Sequence, residues 1–256
     1  MIFFDSHAHL CDEAFDEDRE EVIQKCFDAD VKFITEIGYS EETSRKAVEL
    51  ANKYETIFVV VGAHPDECNK DIELSYIKEF AQNKKVVAIG EIGLDYHYDN
   101  LNKENQKKYF IEQIKIANDL NLPVSIHSRD ADMDMLEILK HHKINAGFIM
   151  HCFSSSVEVA KEIIKLDGYI SISGTVTFKN AKNVVEVVKI VPEDRILIET
   201  DCPYLAPQTY RGKRNDPSYV KETAKKIAEL RGKTLEEIAE ITKTNAMRIY
   251  KIKKEA

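Results

Sequence analysis

Short apolar runs begin near residues 2, 31, 57, 86, 123, 146, 168 and 195, and successive starts lie 22 to 37 residues apart. A stretch with helical spacing of its apolar positions fills each interval, so the recurring unit is a strand followed by a helix. Val22, Ile23, Cys26 and Phe27 precede the run at 31–37, and Phe110, Ile111, Ile114 and Ala117 precede the one at 123–126. Eight such units predict an α/β chain folded as a (β/α)8 TIM barrel. The rival is a doubly wound open sheet, which would carry a Gly-rich phosphate loop after an early strand; this chain has none.

The 256 residues are 43% hydrophobic and 32% charged, with nine Gly and six Pro, which suits a chain folded throughout. No linker interrupts it, so a single domain over 1–256 is expected. After the eighth unit, residues 203–218 read as a loop that carries Arg211-Gly212-Lys213-Arg214. Asp216-Pro217 then suits a helix start, and Thr234 with Glu237 has the spacing of a capping box. A C-terminal helical extension, running to about residue 251, is therefore expected to close the barrel.

No basic segment precedes a long apolar stretch at the N-terminus, and no window approaches the roughly 18 apolar residues of a membrane helix. A soluble cytoplasmic protein is the expectation, without membrane contact or an obligate protein partner. Five cysteines, an odd number with no CxxC pair, fit free thiols in a reducing compartment. The net charge of −9 argues against a general DNA-coating protein and leaves only a local basic patch to bind phosphate.

In a parallel barrel every strand ends at one rim, so residues far apart in the chain converge there. The first strand ends in His7 and His9, the third in Gly62-Ala63-His64-Pro65, and the fourth in Gly90-Glu91 and on to Asp95. The fifth ends in His127-Ser128-Arg129-Asp130, the sixth in His151-Cys152-Phe153, and the eighth in Glu199-Thr200-Asp201. His7 and His9, two apart, point the same way and can reach one ion. Singly, each has a plainer explanation: Glu91 as a surface carboxylate, His127 as a helix-facing polar group, Asp201 as a cap, His64 as a turn residue. Jointly, His7, His9, His127 and His151 with Glu91 and Asp201 exceed the three protein ligands of a catalytic zinc. Two divalent ions sharing a bridge fit better, and Glu91, across the barrel from the first strand, is the natural bridge. Such a pair, about 3.5–4 Å apart, activates a water and stabilises a leaving oxygen, which implies hydrolysis. The imidazoles suit Zn, Mn or Fe, and Mg less well. Cys152 and Cys202 are expected to be packing residues, turned away from the targets of their neighbours.

Asp5-Ser-His-Ala-His-Leu10, Gly62-Ala-His-Pro65, Gly90-Glu-Ile-Gly-Leu-Asp-Tyr96, Pro123-Val-Ser-Ile-His-Ser-Arg129, His151-Cys-Phe153, Glu199-Thr-Asp-Cys-Pro-Tyr-Leu-Ala-Pro207 and Arg211-Gly-Lys-Arg214 resemble the TatD family of metal-dependent deoxyribonucleases, in that order and spacing. The resemblance implies that His7, His9 and Asp201 hold one ion, that His127 and His151 hold the other, and that Glu91 bridges them. It also implies a TIM barrel and hydrolysis of DNA phosphodiesters, of the 3′–5′ exonuclease type. Asp201 is expected to orient or deprotonate the attacking water. Glu199 either supports it from behind or faces the same side, and His64 is a candidate substrate contact. Arg129, Lys179, Arg211, Lys213 and Arg214 are candidate phosphate clamps. A small-molecule amidohydrolase or esterase using the same ion pair is the alternative, and a non-catalytic metal-dependent binding protein is a third.

Overall fold

The apolar runs become eight strands in the computed structural model of the chain, which describes residues 1–69, 71–98 and 102–253. They are β1 (Phe3–Ala8), β2 (Val31–Gly38), β3 (Ile57–Val61), β4 (Val86–Asp95), β5 (Val124–Arg129), β6 (Phe148–Met150), β7 (Tyr169–Ile172) and β8 (Ile196–Ile198). Each pairs in parallel with the next, in sequence order. The ring closes where the last strand meets the first: Asp201 N–H donates to His7 O at 3.0 Å, His9 N–H to Cys202 O at 2.9 Å, and Ser6 Oγ to Ile198 O at 2.9 Å. This is the (β/α)8 barrel that the spacing predicts.

Nine helices are described: α1 (Arg19–Asp28), α2 (Glu41–Ala51), α3 (Ser75–Phe80), α4 (Lys103–Leu120), α5 (Asp132–His141), α6 (Val157–Lys165), α7 (Lys182–Ile190), α8 (Val220–Arg231) and α9 (Leu235–Ile249). Local chemistry sets several boundaries. Ser40 and Thr43 form a capping box on α2, the Ser156 side chain accepts the Val159 amide at the start of α6, and Asn121 ends α4 in the left-handed conformation at φ 52°. The capping box of Thr234 and Glu237 is complete on α9, at 3.2 and 2.8 Å. Asp216 caps a single 3-10 turn at Pro217–Tyr219 that leads into α8. α3 begins at Ser75, and just before it Ile72 N–H donates to the Tyr109 hydroxyl at 3.0 Å. β4 runs on to Asp95, since Gly90 and Gly93 interrupt its apolar run without interrupting the strand.

Alternation along the strands divides the core. Phe3, Ile34, Val59, Ile126, Ile170 and Ile196 pack against the helices, whereas Phe4, Val60, Ala88, Ile149 and Leu197 pack with Ala246, Met247, Ile249 and Tyr250 of the C-terminal helix and its end. Tyr250 stacks on Phe4, with centroids 6.1 Å apart, and its hydroxyl donates to Ser6 O at 2.9 Å. The extension thereby covers the floor of the barrel. The strand ends that carry the histidines lie at the opposite mouth.

Candidate metal centre

β1 delivers His7 and, just past its end, His9; their Nε2 atoms are 3.2 Å apart. Asp201 Oδ1 lies 3.6 and 3.4 Å from these two nitrogens, and Glu91 Oε2 lies 3.4 and 3.8 Å from them. The other Glu91 oxygen, Oε1, is 2.9 Å from His127 Nδ1 and 2.7 Å from His151 Nε2, and those nitrogens are 3.3 Å from each other. His64 Nε2 stands 3.8 Å from the same Oε1. Glu91 thus turns one oxygen to each of two donor sets. The His7 and His151 rings stack across the centre at 3.9 Å. Asp201 enters from a left-handed backbone, φ 57°, with its amide held by His7 O.

Nitrogen lone pairs and carboxylate oxygens converging at these separations suit a cation between them, and among the described residues three donor groups are compact enough to hold one: His7–His9–Asp201, His7–Glu91–His151 and His64–Glu91–His127. The electrostatics agree. Burial raises the Glu91 carboxyl, but His151, His127 and His7 outweigh it and hold the group well below the usual carboxylate range. Burial likewise raises Asp201, and the hydrogen bond from His9 together with the charges of His151 and His7 brings it below its ordinary value. Burial lowers His151, yet Glu91 and Glu199 push it well above the ordinary imidazole value. His7 is lowered, by burial first and by neighbouring His151 second. Two ionised carboxylates balanced by imidazolium protons are the charge pattern that a divalent cation replaces, releasing those protons.

Further buried groups hold the donors in place. Glu199 stands behind His151, its Oε1 3.3 Å from Nδ1 and accepting the Cys152 amide at 2.7 Å, so it faces a donor histidine and not the side of Asp201. Asp95 plays the same part for His127, with Oδ2 3.0 Å from Nε2. The even spacing of Glu91, Gly93 and Asp95 along β4 is a signal that sequence reasoning passed over. A Cβ on Gly93, whose φ is 142°, would lie 2.0 Å from His127 O; glycine is what lets β4 run this close to β5. Asp5, also overlooked, accepts Thr200 Oγ1 at 2.5 Å and Thr200 N at 2.9 Å, while Asn215 Nδ2 donates to Thr200 O at 2.9 Å. The residue before Asp201 is therefore clamped from both sides. Glu36 accepts the Leu10 and Cys11 amides at 2.7 and 2.8 Å and ties down the turn after His9.

The basic residues at this rim divide. Arg129 lies 5.8 Å from the Tyr98 ring and Arg211 4.3 Å from the Phe178 ring, and neither guanidinium is ion-paired among the described residues. Lys179 and Lys213 are exposed. Arg214, expected as a clamp, is already engaged: its two terminal nitrogens hold the Asp18 carboxylate at 2.9 and 2.5 Å, and the guanidinium lies 4.5 Å from the Phe15 ring. Cys202 is buried as expected, and Cys152 is half-buried, its Sγ 3.2 Å from Ser173 Oγ.

A parallel barrel whose C-terminal rim gathers histidines and carboxylates around a buried glutamate defines a metal-dependent hydrolase. The chain belongs to the TatD-related DNase family, whose model matches residues 4–251. It is 49% identical over 254 residues to YabD of Bacillus subtilis, an uncharacterized metal-dependent hydrolase, covering 98% of this chain and all of that one. The metal-dependent hydrolase YcfH of Escherichia coli, also uncharacterized, is 38% identical over 256 residues, covering 98% of this chain and 97% of YcfH. Among solved structures, the TatD homologue YjjV of E. coli superposes with a TM-score of 0.93 at 29% identity, covering 98% of each chain. No described helix is long and apolar enough to cross a membrane.

Proposed function

We propose that this hydrolase is one barrel domain over its 256 residues and cleaves DNA phosphodiesters, with two divalent ions held by His7, His9 and Asp201 on one side of Glu91 and by His127 and His151 on the other. The observation that carries the reading is Glu91, which presents one oxygen to each donor set. When bound, a divalent pair supplies an activated water and neutralises charge at the scissile group. Asp201, held ionised by the imidazoles, orients that water and is placed to take its proton. Arg129, Lys179 and Arg211 offset the phosphate charge that an acidic protein would otherwise repel. The 3′–5′ direction rests on the family resemblance alone.

The rival reading, a small-molecule ester or amide hydrolase with the same centre, gains weight from Arg214, since its pairing with Asp18 leaves fewer free cations for a polyanion. A panel of single-stranded DNA, duplex DNA, RNA and small esters and amides, assayed with Mg, Mn and Zn, separates the two. Activity confined to the small substrates would end the nuclease reading. Asp201→Asn should cut turnover by roughly 10²-fold or more with the fold intact; near-normal turnover would remove Asp201 from the chemistry.

A further inference from the structure

Large apolar side chains left exposed are few, and their placement is uneven. Of the seven among the described residues, Tyr98, Met133, Tyr204 and Leu205 lie on segments just past strand ends, at the mouth that carries the donors. Of these four, Tyr204 meets a donor directly: its ring stands edge-on to that of His9, with centroids 6.1 Å apart and planes at 68°. The ring is fixed at both ends. Its hydroxyl donates to Asp12 Oδ2 at 2.8 Å, its N–H donates to Asp201 O at 3.0 Å, and its carbonyl accepts Asn215 Nδ2 at 2.7 Å. The buried Asn215 amide also holds Thr200 O, so one side chain ties the strand end that presents Asp201 to the backbone that presents Tyr204.

Held this firmly, Tyr204 still exposes 53% of its surface. A ring that served only to pack against His9 would be buried, and an incidental surface tyrosine would not be anchored through backbone and hydroxyl together. Leu205 beside it is 39% exposed and left-handed, φ 54°, a costly conformation for a residue with a bulky side chain. Its carbonyl is seated against the segment after β7, where a Cβ on Gly174 would lie 2.9 Å from Leu205 O. The loop after β8 therefore presents a flat aromatic face and an aliphatic neighbour to solvent, beside a donor histidine. A phosphoester whose charged group sits at the donors must place its adjoining part there. In a nucleotide that part is a planar base, one sugar away from the phosphate, and aromatic faces take such bases by stacking.

We propose that Tyr204, flanked by Leu205, is the platform on which the nucleobase next to the scissile phosphate stacks, so that the site holds a nucleotide by its base as well as by its phosphate; this rests on the function proposed above. Stacking uses the face of the base and reads none of its edges, so the platform accepts purines and pyrimidines alike. Tyr204 binds and orients the substrate and takes no part in proton transfer.

Tyr204→Leu and Tyr204→Phe test this in the metal-loaded enzyme: leucine keeps apolar bulk without a flat face, and phenylalanine keeps the face and gives up only the bond to Asp12. The probes are deoxyadenosine 5′-monophosphate, the abasic 2-deoxyribose 5-phosphate, and 2-aminopurine deoxyriboside 5′-monophosphate, whose fluorescence is quenched by stacking. The parent should bind the nucleotide about tenfold more tightly than the abasic sugar phosphate and quench the 2-aminopurine. Leucine should abolish both the preference and the quenching, and phenylalanine should retain both. A parent without the preference, or a leucine variant that keeps it, would overturn the proposal. So would a phenylalanine variant as weak as leucine, which would make the hydroxyl the binding group, or a fall in bound metal in Tyr204→Leu, which would make the ring a support for His9. If the parent cleaves no phosphodiester yet shows a base preference that leucine removes, the nuclease reading fails while the platform stands; if it cleaves an oligonucleotide without any base preference, the platform fails alone.

Discussion

The two histidines nearest Glu91 Oε1 are each held from behind by a carboxylate, Asp95 for His127 and Glu199 for His151. Such partners fix the ring orientation and raise the basicity of the donating nitrogen. Asp95→Asn and Glu199→Gln should each weaken metal retention about 10- to 100-fold, read by competition with a chromogenic chelator. Retention equal to that of the parent would reduce both to packing. Glu36 makes a different prediction. Burial pushes its carboxyl from the ordinary 4.5 up to about 7, and the amides of Cys11 and Leu10 and the nearby His9 offset this only in part. The folded state then holds the proton more tightly than the unfolded chain does. The Glu36 contribution to stability is complete below about pH 4.5 and is lost as the pH rises through about 7. Unfolding of metal-free protein across that window should show the stability of the parent, relative to Glu36→Gln, declining with pH; a flat difference would contradict the assignment.

At the scale of the element, α9 links local sequence to the barrel floor. Its complete capping box satisfies amides that the helix itself leaves unpaired, and its far end carries Ala246, Met247 and Ile249, with Tyr250 just beyond, into the cluster around Phe4. Thr234→Ala should destabilise the protein by about 1 kcal/mol in denaturant titrations. Bound metal should not change, because the cap and the metal centre are at opposite ends of the barrel. Loss of metal in this variant would show that the floor and the rim are coupled. β4 is the converse case, an element whose glycines serve the site: Gly93 admits the close approach to His127 that a side chain would block.

At the scale of the whole molecule the question is how a chain of net charge −9 admits a polyanion. Arg129 and Arg211 rest on aromatic rings without a carboxylate partner among the described residues, whereas Arg214 is spent on Asp18. Arg129→Ala with Arg211→Ala should raise KM for an oligonucleotide and flatten its dependence on salt, with little effect on a small uncharged ester. Arg214→Ala should instead lower the unfolding midpoint slightly and leave the salt dependence alone. Equal effects of all three on both substrates would remove the electrostatic case for DNA.

The barrel itself was legible in the residues, because strands buried on both faces read as unbroken apolar runs and the helices between them keep their own period. The convergence of the candidate donors was legible for the same reason: once the topology is parallel, every strand end must reach one rim, and His7, His9, Glu91, His127, His151 and Asp201 are brought together there. The capping box of Thr234 and the cap of Asp216 could be read because they involve neighbours in the chain. What stayed hidden depends on distances between residues remote in sequence. The engagement of Arg214 by Asp18, the reach of Glu36 to the Leu10 and Cys11 amides, the clamp of Asp5 on Thr200 and the tie of Tyr250 to Ser6 each join separate units. Spacing says which residues arrive at the rim; only the closed barrel settles which oxygen of Glu91 each donor meets, and which arginine a carboxylate already holds.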